Sequence, residues 1–66
     1  MAFSDNVKAL REEKGYSQAE LARLANVSQP TVNDYEKGKK IPNIVTGVDL
    51  AKALGTTVEK LVKGDG

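Results

Sequence analysis

The stretch Ser28 to Lys40, SQPTVNDYEKGKK, sets amide, hydroxyl and carboxylate side chains beside three closely spaced lysines. On a helix Val32 and Tyr35 share one face, because residues three apart are neighbours. Gln29, Pro30, Thr31, Asn33 and Asp34 are then left facing outward. Side-chain amides and hydroxyls that both donate and accept can pair with the edges of nucleic-acid bases, an amide with N6 and N7 of adenine for example. An outward polar face is also what ordinary solvation produces, so position has to separate the two readings. Lys37, Lys39 and Lys40 fall together, whereas Glu12, Glu13 and Glu20 fall in the first third of the chain.

Other chemistries have less to work with. The sequence has no histidine and no cysteine. It therefore has no disulfide, no zinc site of the usual ligands and no imidazole base. There is no glycine-rich phosphate loop, and Glu12 and Glu13 are adjacent residues that do not face one point on a helix. No catalytic residue, metal or cofactor is expected. A net charge of +1 neither requires nor excludes a polyanionic partner. No signal segment or apolar run of membrane-spanning length is seen, and the expected setting is soluble, reducing and cytoplasmic.

With 66 residues and 39% hydrophobic content, the chain is expected to be one domain near the lower size limit for a single core. Its core is placed at about residues 3–62, with 63–66 as a flexible tail. Apolar spacing is helical throughout, and nothing alternates with a period of two for long enough to make a strand, so the class is all-α. The first helix is expected to start with Ser4 as N-cap and Asp5 in the first turn, to present Phe3, Val7 and Leu10 on one face, and to end near Lys14 and Gly15. The second opens with a capping box, Ser17-Gln18-Ala19-Glu20, and buries Leu21, Ala22 and Ala25. Asn26 can take the left-handed conformation that ends it.

A third helix follows almost at once over roughly Gln29 to Lys37. Ser28 is its N-cap, Pro30 is tolerated in the first turn, Val27, Val32 and Tyr35 point inward, and Gly38 ends it. A fourth, capped by Asn43 and running through Ala53, is expected to turn Ile44, Val48, Ala51 and Leu54 inward. Gly47 weakens that helix by about 1 kcal/mol relative to alanine, so either its start is frayed or something approaches closely there. A short fifth helix begins at Thr56 or Thr57 and is anchored by Val58, Leu61 and Val62.

The second and third helices together supply the informative pattern. A helix-turn-helix needs a small residue midway along its first helix, where the second crosses, and a turn residue able to take positive φ. Ala22 and Asn26 stand at those places. The second helix of the unit then presents donors and acceptors along its N-terminal half, the end that enters the major groove.

Residues Val7 to Leu61 resemble the helix-turn-helix family of the phage lambda repressor and Cro proteins, of the XRE type. The segments that carry the resemblance are LREEKGYSQAELARLANVSQPTVNDYEKGKKIPN and DLAKALGTTVEKL. It implies a compact five-helix domain, in agreement with the helices counted above. It also implies that Gln18 grips a phosphate, that Gln29 contacts a base, and that Thr31 and Asn33 reach a phosphate or a neighbouring base. Ser28, Lys37, Lys39 and Lys40 would meet the sugar-phosphate backbone. Arg11 and Glu36 match a pair that ties the first helix to the end of the third, supporting the site together with Ala22 and Asn26. Three positions depart from the family pattern. Pro30 offers only an apolar contact, such as with a thymine methyl; Asp34 either accepts from cytosine N4 or pairs with a neighbouring lysine; and Gly47 replaces an apolar residue.

Two functions follow from these readings. One is a sequence-specific regulator of transcription, expected to repress, that binds a two-half-site operator in double-stranded DNA as a homodimer joined through Val58, Leu61 and Val62. The other is a protein-interaction module of the same fold, antitoxin-like or coactivator-like, working through a protein partner.

Overall fold

The structure, a computed structural model, describes residues 2–64, and these form five helices: α1 (Phe3–Lys14), α2 (Gln18–Ala25), α3 (Gln29–Glu36), α4 (Ile44–Leu54) and α5 (Val58–Lys63). No strand occurs among the described residues. The lengths of α2 and α3, eight residues each, fall below what an isolated helix needs in water. Their stability therefore comes from end-capping and from packing. Ser17 forms the full capping box with Glu20, Ser28 caps α3 through the Thr31 N–H, Asn43 caps α4 through the Thr46 N–H, and Thr57 caps α5 through the Lys60 N–H.

The C-terminal ends of α1 to α4 repeat one device: a residue of positive φ, followed by an N–H that returns to the carbonyl five residues back. Tyr16 bonds to Arg11, Val27 to Ala22, Lys39 to Asp34 and Thr56 to Ala51, over 2.8–3.1 Å. Asn26, at φ 63°, fills this role without glycine because its short polar side chain tolerates the left-handed region. Only three residues, Asn26 to Ser28, then separate α2 from α3.

α3 packs against both α2 and α1, α2 packs on α4, and α5 closes the far side against α1 and α4. Val7, Leu21, Ala22, Ala25, Val32, Tyr35, Leu50, Ala51, Leu54 and Leu61 make the core, with Phe3, Leu10, Tyr16, Val27, Ala53 and Val58 packed around it. Phe3 meets Tyr35 edge to face, ring centroids 6.1 Å apart. Asn6 is buried and donates its amide to the Leu61 carbonyl at 2.9 Å, anchoring α5 to α1.

Several expectations are corrected. Ser4 is not a cap: α1 already begins at Phe3, and Ala2 precedes it with no side-chain cap bond. Ile44 and Val48 do not point inward but are 75% and 37% exposed, and Leu50 takes the central place. That replacement shifts the buried stripe of α4 around to Gly47, Leu50, Ala51 and Leu54, which keeps helical spacing. Neither explanation for Gly47 holds: it lies inside an intact α4, and a Cβ there would meet nothing within 4 Å. α3 ends at Glu36, with Lys37 just beyond it as C-cap, and α4 runs one residue past Ala53 to Leu54. Lys63, expected in the tail, closes α5, with Gly64 after it. The rest of that tail, 65–66, lies outside the described residues.

Candidate nucleic-acid interface

The first turn of α3 is shaped by its cap. Ser28 Oγ accepts the Thr31 N–H at 3.3 Å and lies 2.7 Å from Thr31 Oγ1, so the two hydroxyls already hold each other. Pro30 occupies the second helical position, where no intrahelical donor is required. Gln29 and Pro30 are exposed, and Thr31, Asn33 and Asp34 are half-buried. Gln29, Pro30 and Asn33, with Gln18 from α2, line one open depression. The structure thus brings the start of α2 and the outward side of α3 to a single surface.

Beneath that surface lies a polar network. Arg11 Nε donates to Glu36 Oε2 at 2.6 Å, Nη2 to Oε1 at 3.3 Å, and Nη1 to the Tyr16 carbonyl at 2.7 Å. The side chains of this ion pair are only 13% and 5% exposed. The bond to Glu36 holds the Arg11 guanidinium above its ordinary pKa, against burial, which pulls the other way. The charge is therefore permanent, and the pair joins α1 to the last turn of α3. Gln18 Nε2 donates to Glu36 Oε1 at 3.1 Å and to Asn33 Oδ1 at 3.3 Å. These last two bonds lay outside the sequence reading, which placed Gln18 at a phosphate. A polar residue opening α2 gave no sign that its side chain would span to α3.

Ala22 is buried in the core on α2, and Asn26 has the left-handed turn conformation. Gly38, at φ 74°, follows the C-cap of α3 and hands the chain to Lys39 and Lys40. Lys37, Lys39 and Lys40 are exposed. Lys40 Nζ lies 3.6 Å from Asp34 Oδ2. Of the two roles open to Asp34, the structure contains the pairing with a neighbouring lysine. An exposed ion pair of this kind is worth little in stability, but it lowers the local cost of a carboxylate on this face.

This geometry is that of a helix-turn-helix unit. The helix-turn-helix family profile matches residues 7–61, and the chain belongs to that family, of the Cro/C1, or XRE, type. A transcriptional regulator of Deinococcus deserti, DdrOP3, is 33% identical over 64 residues, which is 97% of this chain and 50% of that one. The P22 c2 repressor, solved with a synthetic operator, superposes with a TM-score of 0.95 at 28% identity, covering 98% of both chains. SinR, a master regulator of biofilm formation solved with DNA, gives 0.84 at 30% identity over 89% of this chain and 95% of that one. The chain spans about half the length of the first curated relatives it matches. No described helix is long and apolar enough to cross a membrane.

Proposed function

We propose that the chain is a sequence-specific regulator that binds double-stranded DNA through the major groove and acts as a repressor in the cytoplasm, without catalysis or cofactor. The observation that carries this reading is the exposed N-terminal half of α3, with Gln29 and Pro30 outermost and Asn33 beside them at the depression shared with Gln18. Gln29 is the principal base reader, with Pro30, Thr31, Asn33 and Asp34 alongside. Lys37, Lys39 and Lys40 supply phosphate contacts, and Ser28 and the start of α2 at Gln18 orient the unit.

One module of this size buries too little surface for tight binding, so two copies occupy two half-sites about one helical turn apart. Leu61 is removed from the contact between copies because it is 1% exposed in the core. Val62, 53% exposed, and the edge of Val58 remain to carry it at the C-terminal end. A second reading, a module that binds a regulatory protein partner, is favoured by the net charge of only +1 and by the carboxylate of Asp34 on the reading face.

Selection of bound duplexes from a random pool, followed by titration at two salt concentrations, separates the readings. The regulator reading requires a preferred sequence with symmetric halves and a steep loss of affinity with salt. Absence of DNA binding at low salt would sink it in favour of the protein-binding module.

A further inference from the structure

Four aliphatic side chains at the start of α4 and just ahead of it lie uncovered. Ile41 is 84% exposed, Ile44 75%, Val45 67% and Val48 37%. On the helix Val48 neighbours both Ile44 and Val45, and Ile41 stands in the connection that leads into them. A single exposed aliphatic residue is ordinary, but a group of them marks a contact surface. On α5 only Val62 is comparably free, since Leu61 is buried and Val58 packs against the core. The eight residues from Ile41 to Val48 carry no charge, whereas Lys39 and Lys40 precede them and Asp49 follows. Asp49 makes no ion pair among the described residues.

We infer that a second copy of the chain docks on this segment, and that Ile41, Ile44, Val45 and Val48 carry most of the contact between the two copies. The inference rests on the two-half-site reading above and supplies its contact surface, which Val62 extends by one side chain. In a two-fold contact the same patch meets itself, so a charge near the axis would face its own kind. A segment without charge avoids that repulsion. Its ends are complementary as well: when the segment meets its copy antiparallel, the Lys39 and Lys40 end of one lies opposite the Asp49 end of the other, twice over. Size sets the strength. A stable complex buries about 800 Å² on each partner, and a patch on the order of a few hundred Å² holds two free copies weakly. A duplex that binds both copies then completes the assembly by raising their effective concentration.

The test combines sedimentation equilibrium, from micromolar to near-millimolar chain, with titration of duplexes that carry one or two half-sites of the preferred sequence. The wild-type chain is expected to dimerise toward the upper end of the range and to bind the two-half-site duplex cooperatively. Ile44→Asp and Val45→Asp should stay monomeric and lose about tenfold or more on the two-half-site duplex, with no loss on the single half-site. Both positions are exposed and in the first turn of α4, where the helix dipole favours a carboxylate, so Tm should hold. Should either variant fold poorly, Ile41→Asp, which lies outside the helix, replaces it. Val62→Asp should retain most of the dimer. Cooperativity on the duplex that Ile44→Asp abolishes supports the inference even where the free chain is monomeric. Aspartate variants that dimerise and bind as the wild type does would overturn it, as would a dimer lost only in Val62→Asp. So would a wild-type chain that is monomeric throughout and binds two half-sites independently, which leaves the segment to a different protein. These results leave the DNA-binding reading standing. If no duplex is bound, that reading falls, and sedimentation alone decides whether copies meet on this segment.

Discussion

Replacing Gly47 by alanine should make the protein more stable, and the structure sets how much. Gly47 lies in the first half of α4, and its N–H bonds to the Asn43 carbonyl at 2.8 Å. Its φ is outside the left-handed region, and a Cβ would find no neighbour within 4 Å. A glycine inside a helix costs about 1 kcal/mol relative to alanine, largely because the unfolded chain is freer at that residue. No steric term opposes the gain. For a domain this small, about 1 kcal/mol corresponds to a rise in Tm of about 4–8 °C. Thermal unfolding followed by circular dichroism at 222 nm reads the shift directly. Gly38→Ala is the internal control, since φ is 74° there and the nearest obstacle, Ser4 Oγ, is a tolerable 3.7 Å away. Strain in the backbone alone should lower its Tm. A Gly47→Ala protein with an unchanged or lower Tm would refute the reasoning, because it would mean the helix needs glycine there for a reason the local geometry lacks.

Arg11→Ala should cost about 3 kcal/mol in urea unfolding, because it strands the Glu36 carboxylate, 5% exposed, with Gln18 as its remaining side-chain donor; Glu36→Gln, which keeps a hydrogen-bonding group there, should cost less. Gln29→Ala should lose about 1–3 kcal/mol on the preferred duplex and relax selection at one base pair, whereas Lys39→Ala should weaken all duplexes alike and reduce the salt slope by about one; equal losses on every duplex for both would take Gln29 off the reading face. Burial raises the pKa of Tyr35 above its ordinary 10.0, so the unfolded chain gives up that proton first and stability should fall as pH climbs from about 10 through the folded value. Tyr35→Phe should flatten that alkaline limb of a Tm-against-pH profile, and an unaltered limb would assign it to other groups.

The parts of the fold legible in the sequence are those that local chemistry decides. Ser17 with Glu20, Asn26, Ser28, Gly38 and Asn43 each announce a helix end through their own hydrogen-bonding or backbone preference, and each ends or starts a helix where expected. Ser4 misled because a good capping residue also survives inside a first turn, and Phe3, packed against the core, begins α1 before it. α4 misled for a similar reason. Ile44, Val48, Ala51 and Leu54 make one helical stripe, and Gly47, Leu50, Ala51 and Leu54 make another; the placement of α1, α2 and α5 against α4 chooses between them. At the site, the outward residues of α3 were legible from the helix period. The bonds from Gln18 to Glu36 and Asn33 were not, since they join residues 18 and 15 positions apart and depend on how closely two helices approach.

The outward face of α3 is held in place by the rest of the molecule. α3 has eight residues, too few to persist alone, so its shape is fixed by the Ser28 cap, by Val32 and Tyr35 in the core, and by Glu36 held from α1 through Arg11. The entropy of ordering these side chains is then lost on folding and not again on binding, which leaves more of the contact energy to appear as affinity. The same dependence separates two kinds of defect. A change at Val32 or Arg11 that loosens α3 must lower Tm and DNA binding together. A change at Gln29, which the described residues leave outside the network, can abolish selectivity while Tm stays where it was. That dissociation is how a residue that reads the ligand is distinguished from one that holds the reader in place.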